Sequence, residues 1–241
     1  MKEFRQKYKT SFGNFHYVSS VAMSFILLAL SLTFNFYASL YAGQRASSYV
    51  TDIILSNIPV FNVDMIFIYG PVIFWAIISL YCLYDPKKIP FMLKSVALFV
   101  FIRSAFITLT HIGPFPDRIT TESLGYTSVL ITKASSFLFN TGADLFFSGH
   151  TGLPFLMALI FWNNKPMRFF CLLSAFFFAV IVLLGHLHYS IDVVSAFFIT
   201  YTIYHISDKL FRKDRHIFEG SIPSTISASY THTEEKVARI S

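Results

Sequence analysis

The chain has 241 residues, of which 54% are hydrophobic and only 13% are charged, and its mean hydropathy is +0.57. Soluble domains carry about 25% charged residues, so this composition excludes an ordinary soluble protein and indicates a membrane protein. The net charge of +6 does not indicate a nucleic-acid partner, because the basic residues are scattered between apolar segments. Cys82 and Cys171 lie inside apolar segments, which favours buried thiols over a disulfide framework.

Six apolar stretches approach the length that a helix needs to cross the roughly 30 Å of bilayer hydrocarbon. They are residues 18–41, 60–84, 91–112, 146–162, 169–185 and 190–211. We therefore predict an all-α, polytopic membrane protein with six transmembrane helices in a domain of residues 18–211. Residues 1–17 form an N-terminal segment, and we expect residues 212–241 to be a polar, disordered tail.

The basic residues predict the orientation of this domain. One side of the predicted bundle carries most of them: Lys2, Arg5, Lys7, Lys9, Lys87, Lys88, Lys94, Lys165, Arg168, Lys209, Arg212, Lys213 and Arg215. The other side has only Arg45, Arg118 and Lys133, although it includes the longest loop. Because positive loops favour the cytoplasm, we predict that both termini are cytoplasmic and that the opposite face is periplasmic, lumenal or extracellular.

Two polar clusters fall on that outer face. The run Ser-Gly-His-Thr-Gly occupies residues 148–152, and the run His-Leu-His-Tyr-Ser-Ile-Asp occupies residues 186–192. His188 and Asp192 are four residues apart, so on a helix they would share one side, where the carboxylate could orient the imidazole. Free amides at a helix N-terminus near Ser148 would attract a phosphate, beside which His150 could donate a proton.

Arg103 is the only charged residue within eight positions on either side in the third apolar stretch. A buried arginine there is costly unless it faces a partner or a polar cavity. It could pair structurally with Asp64 or another acid, but we favour an anion clamp, because a guanidinium fits phosphate oxygens in two-pronged fashion.

A metal site is the alternative interpretation of two histidines and an aspartate, which are common metal ligands. The spacing does not exclude it, but no His-Glu-x-x-His pattern occurs and a phosphate site needs no metal. We therefore predict neither a metal nor a cofactor. His186 and His111 are weaker candidates than His150 and His188.

At these residues the chain resembles a known family. The run Gly-Ala-Asp-Leu-Phe-Phe-Ser-Gly-His-Thr at 142–151 resembles the Gly-Asp-x-x-Phe-Ser-Gly-His-Thr signature of sphingomyelin synthases. The run Leu-Gly-His-Leu-His-Tyr-Ser-Ile-Asp-Val at 184–193 is similar to their His-x-His-Tyr-Thr-Ile-Asp-Val motif. Both motifs belong to the wider type 2 phosphatidic acid phosphatase superfamily, and weaker similarities at 58–64 and 103–110 extend the resemblance.

The chain also departs from these patterns. The Lys-x6-Arg-Pro motif of the phosphatase branch is absent, and Val182 stands where that branch has an arginine six residues before its histidine. These differences favour the synthase-like branch. Gly142 replaces the cysteine-containing start of the synthase signature, so the substrate of that family does not carry over.

The resemblance implies a mechanism. His188 would attack the phosphorus of a lipid phosphoester while Asp192 orients its ring, and His150 would protonate the departing alkoxide. The resemblance also implies four substrate-binding residues, namely Arg103, Ser148, Gly149 and Asp144.

Three functions remain open from the sequence. A lipid phosphotransferase would pass the phospho-head group to a lipid alcohol, and a lipid phosphatase would pass it to water. A non-enzymatic transporter would use the buried histidines and aspartate as a proton relay, although the internal repeats typical of transporters are not found. In the first two cases membrane lipids are the partners, and the sequence leaves the oligomeric state undetermined.

Overall fold

The computed structural model describes residues 2–116 and 145–219, and these residues form helices and loops without a β-strand. Eight α-helices follow one another in the described part. They are α1 (Lys2–Phe12), α2 (Phe15–Gln44), α3 (Asp64–Tyr84), α4 (Ile89–Thr110), α5 (Gly149–Ile160), α6 (Lys165–Leu184), α7 (Ser190–Leu210) and α8 (Arg212–Glu219), with 3-10 turns at Leu55–Asn57 and Pro86–Lys88. The all-α prediction is therefore confirmed for the described residues.

Each of the six predicted apolar stretches overlaps one of the helices α2 to α7. Among the described residues, four segments are long and apolar enough to cross a membrane, namely Phe15–Gln44, Asp64–Tyr84, Pro86–Thr110 and Lys165–Leu184. Helix α5 has only 12 residues, from Gly149 after the Ser148 cap to Ile160, so it starts three residues after and ends two residues before the predicted bounds of 146–162. Helix α7 has 21 residues but is less apolar than α6, because polar side chains such as those of Thr200 and His205 interrupt it.

Local signals explain where several helices begin. Asn14 caps α2 by accepting the backbone N–H of His16, and Asn164 caps α6 by accepting that of Met167 at 3.1 Å. Pro166 stands in the first turn of α6, where the proline's missing N–H costs nothing.

The core lies between α3, α4, α5, α6 and α7, and α2 packs against its outside. Helix α2 packs mainly against α4, and α5 packs against α6 and α7. Fully buried members of the core include Phe91, Phe99, Phe147, Leu156 and Met157. Apolar side chains are also exposed around the outside of the bundle, which is the pattern expected of helices that have lipid rather than water as their solvent.

The C-terminal prediction is wrong for its first residues. We expected disorder from residue 212, but Arg212–Glu219 forms the helix α8. Arg215 packs over the ring of Phe91 and donates to the Ile160 carbonyl oxygen at 3.3 Å, and Phe218 lies edge-on to Phe91. The polar composition concealed this helix, because its aromatic and guanidinium groups dock against the end of the bundle. Residues 220–241 lie outside the described part.

Candidate active site

The pairing of His188 with Asp192 is present, but its geometry differs from the predicted one. Nδ1 of His188 lies 3.3 Å from Oδ2 of Asp192, and both side chains are buried. His188 is not helical, because α7 begins only at Ser190. Asp192 is the third residue of α7, and its Oδ2 also accepts the backbone N–H of Tyr189 at 3.1 Å. The carboxylate thus reaches back over the helix N-terminus, where a negative charge is stabilised, to reach the ring of His188.

The second motif lies beside the first. The backbone N–H of Ser148 donates to the carbonyl oxygen of Asp192 at 3.0 Å, which joins the start of α5 to the start of α7. Ser148 caps α5 by accepting the N–H of Thr151. His150 stands in the first turn of α5 and lies within electrostatic range of His188 and Arg103.

Arg103 reaches the same place from α4. It is 5% exposed, and its Nε donates to the carbonyl oxygen of Phe147 at 3.1 Å. A Cβ atom on Gly149 would lie 3.4 Å from that Nε, so the glycine allows the guanidinium to approach the α5 N-terminus closely. The charges of Arg103 and Asp192 also interact. The cation, the helix N-terminus and the two histidines therefore lie in one region of the structure.

The polar atoms in this region are not all satisfied. Within the described part of the chain, Asp192 Oδ1 and Thr151 Oγ1 are buried without a hydrogen-bond partner. Phe147, directly before the Ser148 cap, has a φ of 27°, which is unusual for a residue with a side chain. Backbone strain and unpaired buried polar atoms are both features that concentrate at functional sites.

The remaining candidates are placed less centrally. His186 has a φ of 51° and is 3% exposed. Neither of its ring nitrogens has a partner among the described residues, and its ring meets that of Phe115 edge-on. His111 ends α4 and packs against Tyr41. Asp144, predicted as a substrate-binding residue, lies outside the described residues.

The sequence did not reveal Asp52. Its Oδ2 accepts the backbone N–H of Ser190 at 2.7 Å, and its Oδ1 accepts those of Ile54 and Leu55 at 2.9 and 3.1 Å. Asp52 therefore caps the helix that carries Asp192. Burial alone raises the pKa of the Asp52 carboxyl, but the hydrogen bonds from Ser190, Leu55 and Ile54 outweigh burial and lower this pKa below its ordinary value.

The hydroxyl of Tyr189 also connects the loop after α2 to the start of α7. This hydroxyl donates to the Gly113 carbonyl oxygen at 2.8 Å and accepts the N–H of Val50 at 3.3 Å.

The sequence contains a local signal for one of the roles of Asp52, since an aspartate two and three residues before Ile54 and Leu55 can cap a short turn. No such signal exists for the bond to Ser190, because the two residues are 138 positions apart.

The histidine motifs agree with a comparison against known families. Residues 141–209 match the family model described as PAP2 superfamily C-terminal, and this stretch includes His150, His188 and Asp192. Neither the comparison with curated proteins nor that with solved structures gives a significant match. The family match covers less than a third of the chain. The match supports a similarity of this stretch to the type 2 phosphatidic acid phosphatase superfamily, whose members are phosphatases and phosphotransferases, and the apolar helices suggest a multi-pass membrane protein.

Proposed function

We propose that the protein is a lipid phosphotransferase of sphingomyelin synthase-like type, which moves a phospho-head group from a glycerophospholipid to a lipid alcohol. The observation that carries this proposal is the buried pair of His188 and Asp192, 3.3 Å apart, with His150 and Arg103 around it. A carboxylate at Nδ1 keeps the proton there and leaves Nε2 with its lone pair, which is the state that a nucleophilic imidazole requires.

In the first step Nε2 of His188 forms a bond to phosphorus, and the bond from phosphorus to the lipid oxygen breaks. His150 donates a proton to the departing alkoxide. Arg103 and the free amides at the start of α5 stabilise the charge that develops on the phosphoryl oxygens. In the second step an acceptor hydroxyl gives its proton to His150 and attacks phosphorus, so that the phosphorus–nitrogen bond breaks and His188 is restored.

The resemblance of residues 142–151 and 184–193 to the sphingomyelin synthase motifs, together with the missing Lys-x6-Arg-Pro motif, supports a lipid as the acceptor. Transfer to water, which would make the protein a lipid phosphatase, is the second candidate, because the matched superfamily includes phosphatases. Mass spectrometry of products from purified protein, given labelled phosphatidylcholine or phosphatidylethanolamine with ceramide or diacylglycerol, separates the two reactions.

The phosphohistidine itself is tested by trapping. Phosphate on histidine is labile in acid and stable in alkali, so retained label identifies it. With a nitrophenyl phosphoester, whose leaving group needs little protonation, His150→Ala should accumulate the intermediate because the second step lacks its base. His188→Ala should accumulate none. Label on His188→Ala but not on His150→Ala would mean that the two histidines have the opposite roles, and no label on any variant would contradict the covalent mechanism.

We also propose six membrane spans, α2 to α7, with both termini cytoplasmic and the histidines on the outer face. Cys82 and Cys171 are both buried, so single reporter cysteines can be introduced at low background. An impermeant thiol reagent applied to intact cells should label Ser48→Cys and spare Asn163→Cys. The reverse pattern would contradict the proposed orientation.

A further inference from the structure

Helix α3 contains a proline that leaves one backbone carbonyl of the helix without its usual hydrogen-bond donor. Pro71 lies inside α3 and has no N–H to donate. In a regular α-helix that N–H would bond to the carbonyl oxygen four residues earlier, which belongs to Phe67. The Phe67 carbonyl therefore lacks its usual helical partner, and a buried carbonyl in this position requires another donor.

His150 is placed to be that donor. Its ring lies against the ring of Phe67, with centroids 4.1 Å apart and planes inclined by 22°. The His150 side chain is also hydrogen-bonded to the backbone of Phe67. The backbone N–H of Phe67 is already donated to the Val63 carbonyl oxygen at 2.8 Å, so the carbonyl is the group that remains for the imidazole N–H. Pro71 and His150 line one apolar cleft, which confirms that they are neighbours.

We propose that Pro71 is a positioning residue for His150: by withholding a helical N–H, it leaves the Phe67 carbonyl to hold the imidazole. The inference rests on the proposed function, in which His150 exchanges a proton with the lipid oxygen. A ring nitrogen that donates to a carbonyl keeps its proton, so the other nitrogen is the one that gives and takes a proton during the reaction. The Phe67 carbonyl thus does for His150 what Asp192 does for His188.

Packing around Pro71 offers a purely structural explanation, against which the proposal must be tested. A Cβ atom on the adjacent Gly70 would lie 2.6 Å from the ring of Phe178, so α3 and α6 are in close contact here. If Pro71 only shapes this contact, its replacement should alter stability and leave the behaviour of His150 unchanged.

The substitution Pro71→Ala separates the two explanations. Alanine supplies the missing N–H and is the better helix former, so the variant should fold at least as stably as the wild type. We expect it to lose about three- to tenfold in kcat for lipid esters, whose leaving alcohols need protonation, in line with the loss of one hydrogen bond. The first step with a nitrophenyl ester, measured as the burst of nitrophenol release, should change little, because that leaving group needs little protonation, whereas the second step, in which His150 is the base, should slow. In a His150→Ala background, Pro71→Ala should have no further effect.

Two controls match the change. Pro71→Gly also restores the N–H but weakens the helix, so a kcat loss shared with Pro71→Ala follows the donor and not the stability. Val72→Ala removes side-chain atoms from an exposed neighbour without adding a donor, and it should leave kcat unchanged. An equal loss in Val72→Ala, or a Pro71→Ala loss that persists without His150, would overturn the proposal.

A second measurement does not depend on turnover. In protein labelled with ¹⁵N-histidine, the His150 ring signals, assigned by their absence in His150→Ala, report which nitrogen carries the proton. We expect these signals to shift in Pro71→Ala and to stay in place in Val72→Ala. Unchanged His150 signals in Pro71→Ala would overturn the positioning role, whereas wild-type protein that transfers no phosphate would overturn the proposed function instead.

Discussion

The two ends of helix α4 bury charge in opposite ways. We call Lys94, Asp214 and Ser20 the lysine end, and Arg103, His150, His188 and Asp192 the histidine end. Lys94 and Arg103 are separated by about 13 Å along the helix axis. At the lysine end Lys94 Nζ donates to Asp214 Oδ2 at 2.6 Å and to Ser20 Oγ at 2.8 Å, while the Ser20 hydroxyl donates to Asp214 Oδ1.

The histidine end is left incomplete by comparison. Both carboxylate oxygens of Asp214 have partners, whereas Asp192 Oδ1 has none among the described residues. A network of buried charges stabilises the folded protein only when each charged group has its hydrogen-bond partners, because each unpaired group would cost free energy. A site that receives a substrate must keep some of its polar atoms available. The comparison therefore predicts that substitutions at the lysine end change stability and that those at the histidine end change activity.

Among the substitutions that test the contrast between the two ends, we expect the largest loss of activity for Asp192→Asn. The amide cannot stabilise a positive charge on the His188 ring as the carboxylate does, so formation of the phosphohistidine should slow by roughly a hundredfold or more. Formation should still be detectable, because the nucleophile remains. Rapid-quench labelling measures the rate, and thermal unfolding in detergent should show no loss of stability. An unfolded Asp192→Asn protein would remove the contrast between the ends.

The next effect concerns the lysine end. Lys94→Ala leaves the Asp214 carboxylate buried without its cation, and breaking such a pair costs about 3 kcal/mol in the free energy of unfolding. Chemical denaturation in micelles measures this loss, while the turnover per folded molecule should be unchanged. The matched double variant Lys94→Met with Asp214→Leu should recover most of the stability. A loss of turnover without a loss of stability would contradict our division of the molecule.

Arg103→Lys should have a smaller effect on activity. Lysine keeps the charge but lacks the planar, forked guanidinium, so we expect at least about a tenfold loss in kcat/KM, which is about 1.4 kcal/mol of transition-state stabilisation. The protein should remain folded. Near-normal turnover would show that Arg103 is a structural charge like Lys94.

Asp52→Ala is expected to have the smallest effect, because it removes a helix cap worth about 1 kcal/mol in the free energy of unfolding. The pKa of Asp52 is lowered in the folded protein, so its contribution is present above the unfolded value of about 3.9 and is lost as the pH falls through the lower, folded value. Stability measured against pH in wild type and Asp52→Asn should therefore differ above about pH 4 and converge below it. A difference that does not depend on pH would contradict this role for the carboxylate.

The sequence predicted the helices well, because a helix that faces lipid is a long stretch of apolar residues and can be recognised by its composition. Unbroken apolar stretches produced α2, α3, α4 and α6 within a few residues of their expected positions. The end of the chain was predicted less well. The helix α8 depends on Phe218 and Arg215 docking onto other helices, and tertiary contacts of this kind leave no periodic apolar pattern.

The site was predictable to the extent that its residues are near in sequence. The spacing of His188 and Asp192 suggested a contact, and the contact exists, although it crosses a helix N-terminus and does not run along a helix face. The convergence of Arg103 with these residues followed from the assumption that a buried charge needs a polar environment. Asp52 and the Phe67 carbonyl could not be found in this way, because one acts across 138 residues and the other is a backbone atom.

The bond from Asp52 to Ser190 has a consequence for the synthesis of the protein. Its two partners are 138 positions apart, and the bond from Tyr189 to Gly113 spans 76 positions. The loop after α2 therefore finds these partners only after the chain has been synthesised as far as the start of α7. Until then Asp192, which lies in the same helix as Ser190, is also missing, so the pair of His188 and Asp192 is absent throughout the synthesis of α2 to α6.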